Sequence, residues 1–276
     1  MAGGDDLEEN FVLDTDYSSS DEAASETGSD SEACEVQTPD PANSEVPDSS
    51  DESDGGQPKT KKVKLNWREA SSRCAGSVQD QVEILRLAGL AFEKFFPSST
   101  MPFNIESVSA GQFLDLSEYG AGESRTAQAL FECLRTQGYL QSATGGGSSS
   151  QLTLIVTSSA TRGMYLTKEL KEFDKELSPL PLFFHGGGRK KEQAQTHEAV
   201  IKNGKASVAV CLPSRLKAVM DAGILDIQKV NLVVFDLKQN EKKLNVLSMK
   251  DTMTDSLDII SRCLSTDDEH TILALI

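Results

Sequence analysis

The chain has 276 residues, with 27 Lys and Arg against 43 Asp and Glu, and therefore carries a net charge of −16. It has no apolar run near the ~18 residues that a membrane-spanning helix needs, and its N-terminus lacks the layout of a signal peptide. The five cysteines are far apart and form no Cys-x-x-Cys pair, which argues against a zinc site or a disulfide framework. These features exclude the membrane and secreted classes and favour the cytosol or the nucleus.

Residues 1–58 form a strongly acidic segment. They contain 18 acidic residues and no Lys or Arg, which leaves 25 acidic and 27 basic residues for 59–276. Their composition predicts a disordered tail, because few large apolar side chains are present to offset the entropy of ordering. Four serines have an acidic residue three positions later and are candidate phosphorylation sites of an acidophilic kinase: Ser18, Ser19, Ser29 and Ser49. A solubilising role and a binding role for this tail both remain open.

The sign of the charge changes at the start of the linker 59–76. Lys59, Lys61, Lys62 and Lys64 lie within six residues. This pattern favours a nuclear localisation signal that a nuclear importer can reach, although an RNA-phosphate patch or the edge of the fold would give the same pattern. We therefore predict that the protein is nuclear.

Residues 77–276 are predicted to form one domain in which strands and helices alternate. Six helices are predicted. Two of them precede the first strand and cover 77–96 and 124–137, and a third carries Leu166, Leu170, Phe173 and Leu177 on one face. The others cover 192–202, begin at Pro213, and run through Met253–Leu264. The predicted strands are 152–156, 180–184, 207–212, 232–235 and 271–276.

This alternation predicts an α/β fold. Strands that are apolar on both faces are typical of a parallel sheet with helices on each side. Ligands of such sheets bind beyond the carboxyl ends of the strands, so the loops at those ends are the candidate functional segments.

The loops, taken in order, resemble the motifs of the first RecA domain of a DEAD-box RNA helicase. Ser158-Ser159-Ala160-Thr161-Arg162 stands in the place of the Pro-Thr-Arg motif, His185-Gly186-Gly187-Gly188 matches the Gly-Gly motif, and Leu212-Pro213-Ser214-Arg215 parallels Thr-Pro-Gly-Arg. Residues 224–236 follow the approach to the DEAD box. The resemblance therefore implies a RecA-like sheet across about 152–236.

The nucleotide motifs depart from that family. The candidate phosphate-binding loop is Gly120-Ala121-Gly122-Glu123-Ser124, with a glutamate where the lysine that reaches the phosphates belongs. Asp236 is followed by Leu237 and not by the glutamate of the acidic box. No second RecA domain follows, so we expect a chain that is not a helicase and not an enzyme.

Both the retained and the lost motifs resemble those of the Cms family of small-ribosomal-subunit assembly factors. These are nucleolar proteins of the small-subunit processome, with one degenerate helicase-like domain behind a charged tail. The resemblance covers about 152–264 and includes the Lys-rich stretch of Lys238, Lys242 and Lys243. It implies a non-catalytic, nucleolar factor that binds pre-ribosomal RNA, assembly proteins or both, without a cofactor, a metal or a small-molecule substrate. The alternatives are a nucleotide-dependent enzyme with an atypical phosphate-binding loop and a pure protein-docking module.

The resemblance and the chemistry of the loops together select the candidate RNA-binding residues. Hydroxyls, helix N-termini and guanidinium groups suit phosphate oxygens. The candidates are Ser158, Ser159, Thr161, Arg162, Gly187, Arg189, Lys190, Lys191 and Arg215. In the structural alternative, the glycines only shape turns and Arg215 pairs with a carboxylate.

Overall fold

The computed structural model describes residues 74, 76–119, 126–140, 152–183, 191–265 and 271–276, with the side chains of 191–193 left aside. Several predictions fall outside the described residues: the acidic tail with its four serines, the linker lysines Lys59, Lys61, Lys62 and Lys64, the loop 120–124, and Gly187, Arg189 and Lys190. The account below therefore concerns the described part of the domain.

The core is a five-stranded parallel sheet. Its strands are β1 (Leu152–Val156), β2 (Leu180–Leu182), β3 (Val208–Cys211), β4 (Val230–Phe235) and β5 (Ile272–Leu275). Their order across the sheet is β2-β3-β1-β4-β5, and every neighbouring pair is parallel. The chain first moves from β1 to the β2 edge and then back across the sheet. Right-handed crossovers in these two directions place helices on opposite faces.

In the described residues, six helices cover the two faces of the sheet. They are α1 (Val78–Phe95), α2 (Ala127–Thr136), α3 (Ala160–Phe173), α4 (Lys191–Lys202), α5 (Pro213–Asp221) and α6 (Lys250–Leu264). Helices α1, α4, α5 and α6 contribute to one apolar cluster, whereas α2 and α3 contribute to the other. The predicted α/β fold with a parallel sheet and helices on both faces is confirmed, and its RecA-like character stays a prediction. No helix in the described part is long and apolar enough to cross a bilayer.

Most strands and helices lie within a few residues of their predicted bounds. Strand β1 has the predicted bounds, and helix α1 begins after the Ser77 N-cap, whose side chain accepts a hydrogen bond from Asp80 N. Strand β2 contains Pro181, which cannot donate to a ladder, and it lies accordingly at the edge of the sheet. The segment between α1 and α2 was not predicted, and its described residues include three short 3-10 turns.

This intervening segment covers the outer edge of β5. Phe113 pairs in parallel with Leu273, and Leu114 N donates to Leu273 O at 2.8 Å. The fully buried side chain of Gln81, on α1, links this segment to β5 by hydrogen bonds. Its amide nitrogen donates to Gly76 O and Leu114 O, both at 2.7 Å, and its amide oxygen accepts from Leu275 N at 2.8 Å. Helix α1 and the segment that follows it are thereby held against β5.

Candidate nucleic-acid interface at the carboxyl edge

The candidate site lies where β1 and β4 end side by side. Helix α3 follows β1 onto one face of the sheet, whereas the chain after β4 leads to α6 on the other face. The crevice between two such strands is the usual ligand-binding position of an open parallel sheet. The segment from Ser158 to Arg162 and the residue Asp236 both meet at this position.

The predicted hydroxyl residues surround the N-terminus of α3. Ser159 is the N-cap, and its Oγ accepts a hydrogen bond from Arg162 N at 3.2 Å. Ser159 and Thr161 are exposed, and Ser158 is half-buried. Ser159 therefore helps to start the helix, while Thr161 is an exposed residue of its first turn.

Arg162 forms an ion pair with the carboxylate that ends β4. Its Nε donates to Asp236 Oδ2 at 2.7 Å, and the two side chains are 20% and 8% exposed. The other carboxylate oxygen, Oδ1, accepts from Lys238 N at 3.1 Å. The charge of Arg162 is thus compensated within the chain, and Asp236 uses both of its oxygens to hold neighbouring groups.

An aromatic residue that sequence reasoning missed lies beside this pair. The guanidinium of Arg162 lies over the ring of Tyr165, 5.1 Å from its centroid. Tyr165 is 45% exposed, although the next residue, Leu166, is in the core. The spacing of three residues on a predicted helix was the available signal, since it places two side chains on one helical face.

Arg215 lies in the first turn of α5, which follows β3, and it is buried. Its Nη2 donates to Glu198 Oε1 of α4 at 2.6 Å, and Arg215 is 7% exposed. The pairing of Arg215 with a carboxylate agrees with the structural alternative for this residue. Burial, and then the positive charge of Arg215, lower the pKa of His197 below its usual value, which favours the neutral imidazole beside this pair.

The structure thus brings part of the predicted set together. Ser158, Ser159, Thr161 and Arg162 form one group at the end of β1, and Arg215 follows the neighbouring strand β3. Lys191 is the first residue of α4, which the chain enters from β2 on the same edge.

Three lysines after β4 form a second basic feature at this edge, here named the basic turn, 238–243. Lys238, Lys242 and Lys243 are exposed, and none of them has an ion pair among the described residues. Asn240 organises the turn, because its Oδ1 accepts from Lys242 N and Leu244 N, both at 3.0 Å. Among the described residues of this edge, the positive charge without an ion pair therefore lies on the basic turn, which also contains Glu241, and not on the two arginines.

The edge also contains a buried hydroxyl. Thr157, the residue after β1, is fully buried, and its Oγ1 has no hydrogen-bond partner in the described part of the chain. Among the described residues there is no cluster of three or more His, Cys, Asp or Glu side chains that could hold a metal ion. The groups that this edge offers are hydroxyls, amides of a helix N-terminus, cations and one aromatic ring.

The sequence was compared with protein families and with curated proteins. No family model matches the chain. Over 111 residues it is 27% identical to Protein CMS1 of Chaetomium thermophilum, and the match covers 40% of this chain and 43% of that protein. The chain therefore spans less than half the length of the curated relative it matches. The similarity agrees with the resemblance of the motifs to the Cms family.

Proposed function

We propose that the chain is a non-catalytic factor of small-ribosomal-subunit assembly that binds pre-ribosomal RNA at the carboxyl edge of its sheet. The observation that carries the proposal is the grouping of the α3 N-terminus, Thr161 and the basic turn at the position where parallel sheets bind ligands. Each of these groups can bind the oxygens of a phosphate.

The similarity to Protein CMS1 supports an assembly role in the nucleus and nucleolus, because the Cms family resemblance implies that setting. The lysines Lys59, Lys61, Lys62 and Lys64 supply a signal by which a nuclear importer brings the protein there. Assembly proteins of the small-subunit processome are further partners in this proposal, and phosphorylation of the tail serines adds to its negative charge.

Two features support the absence of catalysis. In an ATPase the acidic residue after this strand helps to hold the magnesium ion, but here both oxygens of Asp236 already bind groups of the chain itself. Glu123 places negative charge where a phosphate-binding loop has its lysine. A triphosphate at this edge would thus lack the lysine that reaches its phosphates.

One observation favours the nucleotide-dependent alternative. The segment around Phe113 lies parallel to β5, and helix α2 begins at Ala127. In the chain, residues 120–124 lie between this segment and the helix, which is the order in which a phosphate-binding loop follows a strand and precedes a helix. ATP turnover by the chain therefore has to be measured directly.

The first test is ATP turnover by the purified full chain, with the Glu123→Ala variant measured in parallel. We expect no phosphate release above that of a buffer control from either protein. Turnover by the wild-type chain that is lost in Glu123→Ala would replace the proposal with the enzyme. The loss in the variant is the control against a contaminating ATPase.

The second test is ultraviolet crosslinking in cells, followed by purification under denaturing conditions and sequencing of the attached RNA. We expect crosslinks to precursor RNA of the small subunit. Co-purification with assembly proteins in the absence of any RNA crosslink would instead identify a protein-docking module.

A further inference from the structure

We infer that the carboxyl edge binds single-stranded RNA, with one unpaired base stacked on Tyr165 and the backbone phosphates next to it on the basic turn. This inference rests on the proposed function and specifies its ligand. It adds a stacking residue and three phosphate-binding lysines that lie outside the helicase-like motifs.

Tyr165 has the exposure of a binding residue. The described residues include three exposed large hydrophobic side chains, which are Leu90, Phe95 and Tyr165. Leu90 and Phe95 are on α1, whereas Tyr165 lies one turn into α3, next to the edge. An exposed ring at a basic edge is the arrangement that single-stranded nucleic-acid sites use, because every base presents a face that can stack.

Arg162 holds this ring in place. Its guanidinium lies over the ring at 5.1 Å from the centroid, while Asp236 fixes the guanidinium from the side of β4. Because both side chains are restrained before RNA arrives, a base that stacks on Tyr165 loses less binding free energy to ordering of the site.

The basic turn is also ordered before binding. Asn240 N donates to Leu244 O at 2.8 Å, in addition to the two hydrogen bonds that the Asn240 side chain accepts. Lys243 has a φ of 55°, a left-handed conformation that costs free energy for a residue with a Cβ. Such local strain is concentrated at functional sites. The backbone of the turn is therefore held in one conformation, from which the exposed lysine side chains extend.

Contacts join the ring and the turn into one surface. Tyr165 contacts Arg162, Arg162 pairs with Asp236, and Asp236 accepts from the backbone of Lys238, which begins the turn. These contacts link Tyr165 to the start of the basic turn across the ends of β1 and β4, and the inferred base and phosphates would bind along this line.

The ring also determines which form of RNA is bound. In a duplex the bases are stacked on each other and the deep major groove is closed to side chains, so a tyrosine ring on a helix has no base face to contact. Stacking on Tyr165 consequently requires an unpaired nucleotide. The ligand class that fits is a single-stranded segment of RNA.

The experiment measures binding of the purified full chain to a fluorescent single-stranded RNA of twelve uridines and to a duplex of equal length. We expect Tyr165→Ala to weaken binding of the single strand by about 5- to 150-fold, the range of one lost base stack. Tyr165→Phe keeps the ring and should bind like wild type. Phe95→Ala removes an exposed ring from α1 and is the matched control.

The lysines are tested by salt dependence. Lys242→Gln and Lys243→Gln should each weaken binding and lower the slope of log K against log salt by about 0.7, the value for one phosphate contact with a single strand. Lys205→Gln is the matched control. Lys205 is also exposed, but it precedes β3 and therefore lies at the amino ends of the strands, away from the carboxyl edge. Melting curves of all variants verify that each one is folded.

The outcomes separate the inference from the function on which it rests. The inference would be overturned if Tyr165→Ala bound the single strand as tightly as wild type, or if the wild-type chain bound duplex and single strand equally well. Either result would leave the proposed RNA binding intact. Failure of the wild-type chain to bind either RNA, with no RNA crosslinks in cells, would overturn both. A loss in Phe95→Ala equal to that in Tyr165→Ala would also contradict a stacking site on α3.

Discussion

At the residue scale, the pair of Arg162 and Asp236 is mostly shielded from solvent, since the side chains are 20% and 8% exposed. Arg162→Ala leaves the carboxylate with one backbone donor, so we expect the free energy of unfolding to fall by about 1–3 kcal/mol. Urea denaturation measures this change. The double variant with Asp236→Asn should recover part of the loss, because the stranded charge is then absent.

An exposed ion pair provides the control for this prediction. Arg86 and Glu83 of α1 have side chains that are 45% and 43% exposed, and Arg86→Ala should change the stability by less than about 1 kcal/mol. If Arg162→Ala lowers the free energy of unfolding no more than Arg86→Ala does, the buried pair makes no measurable contribution to stability. Any RNA affinity of Arg162→Ala must accordingly be measured at a temperature where the variant is folded.

Gly163 lies where α3 approaches the end of β2. A Cβ at this position would be 2.4 Å from Cε1 of Phe183, which is itself buried. Gly163→Ala should therefore lower the free energy of unfolding by about 1–3 kcal/mol, as overpacking does in a filled core. Thermal or urea denaturation measures this change.

A second helical glycine is the control for Gly163. At Gly89 of α1 the nearest atom to an added Cβ is the flexible methyl of Met101 at 3.3 Å, so Gly89→Ala should be tolerated or slightly stabilising. Reducing the ring with Phe183→Leu should relieve Gly163→Ala. If that double variant is no more stable than Gly163→Ala, close packing against Phe183 is not the cause.

These residues show what a sequence alone can predict about a site. Arg162 and Arg215 were predicted as edge cations from the helicase-like motifs that follow two apolar strands, and the topology puts both at that edge. Their partners, Asp236 and Glu198, are 74 and 17 positions away in the chain. Such pairs depend on strand order and helix packing, which local spacing does not contain. The partner of each arginine was therefore not predicted, although pairing of Arg215 with some carboxylate was the structural alternative for that residue.

At the scale of the elements, α1 and β5 depend on the amide of Gln81. Gln81→Leu would leave two carbonyls and the Leu275 amide without their partner in a fully buried place, at a cost of at least about 2 kcal/mol. Urea denaturation measures the loss, and hydrogen exchange at Leu275 N should accelerate locally. Gln137→Leu, at an exposed position, should stay within about 0.5 kcal/mol of wild type.

A charged variant refines the test at the same position. Gln81→Glu keeps an acceptor for Leu275 N but has no donor for Gly76 O and Leu114 O while it is ionised, and it should therefore be as damaging as Gln81→Leu near neutral pH. Wild-type stability of both variants would mean that α1 is held by its apolar contacts alone.

The elements themselves were predictable to different degrees. Strand β1 is a run of five apolar or β-branched residues, and such a run has few other stable places than the centre of a sheet. The 3-10 turns between α1 and α2 have only local caps, such as Asn104 and Ser109, and no periodic apolar face. Their position is set by the long-range pairing of Phe113 with β5, which a reading along the chain does not detect.

At the scale of the whole molecule, the charge is divided between an acidic N-terminal segment with a net charge of −18 and a remainder with a net charge of +2. The switch in sign at Lys59 is the feature on which nuclear entry depends in the proposed function. Replacing Lys59, Lys61, Lys62 and Lys64 with Gln should leave a fluorescent fusion mainly cytoplasmic, because the importer loses its cationic peptide.

Nuclear entry and nucleolar retention are separable in the same assay, imaged in living cells. Lys242→Gln combined with Lys243→Gln keeps the linker lysines, so this variant should enter the nucleus. It should accumulate less in the nucleolus if the basic turn binds RNA as inferred, because two phosphate contacts are then lost. Lys205→Gln should behave like wild type in both respects. Nuclear accumulation of the four-lysine variant would show that entry depends on another segment or on a partner. Undiminished nucleolar accumulation of the turn variant would show that the domain is retained by contacts other than those of the basic turn.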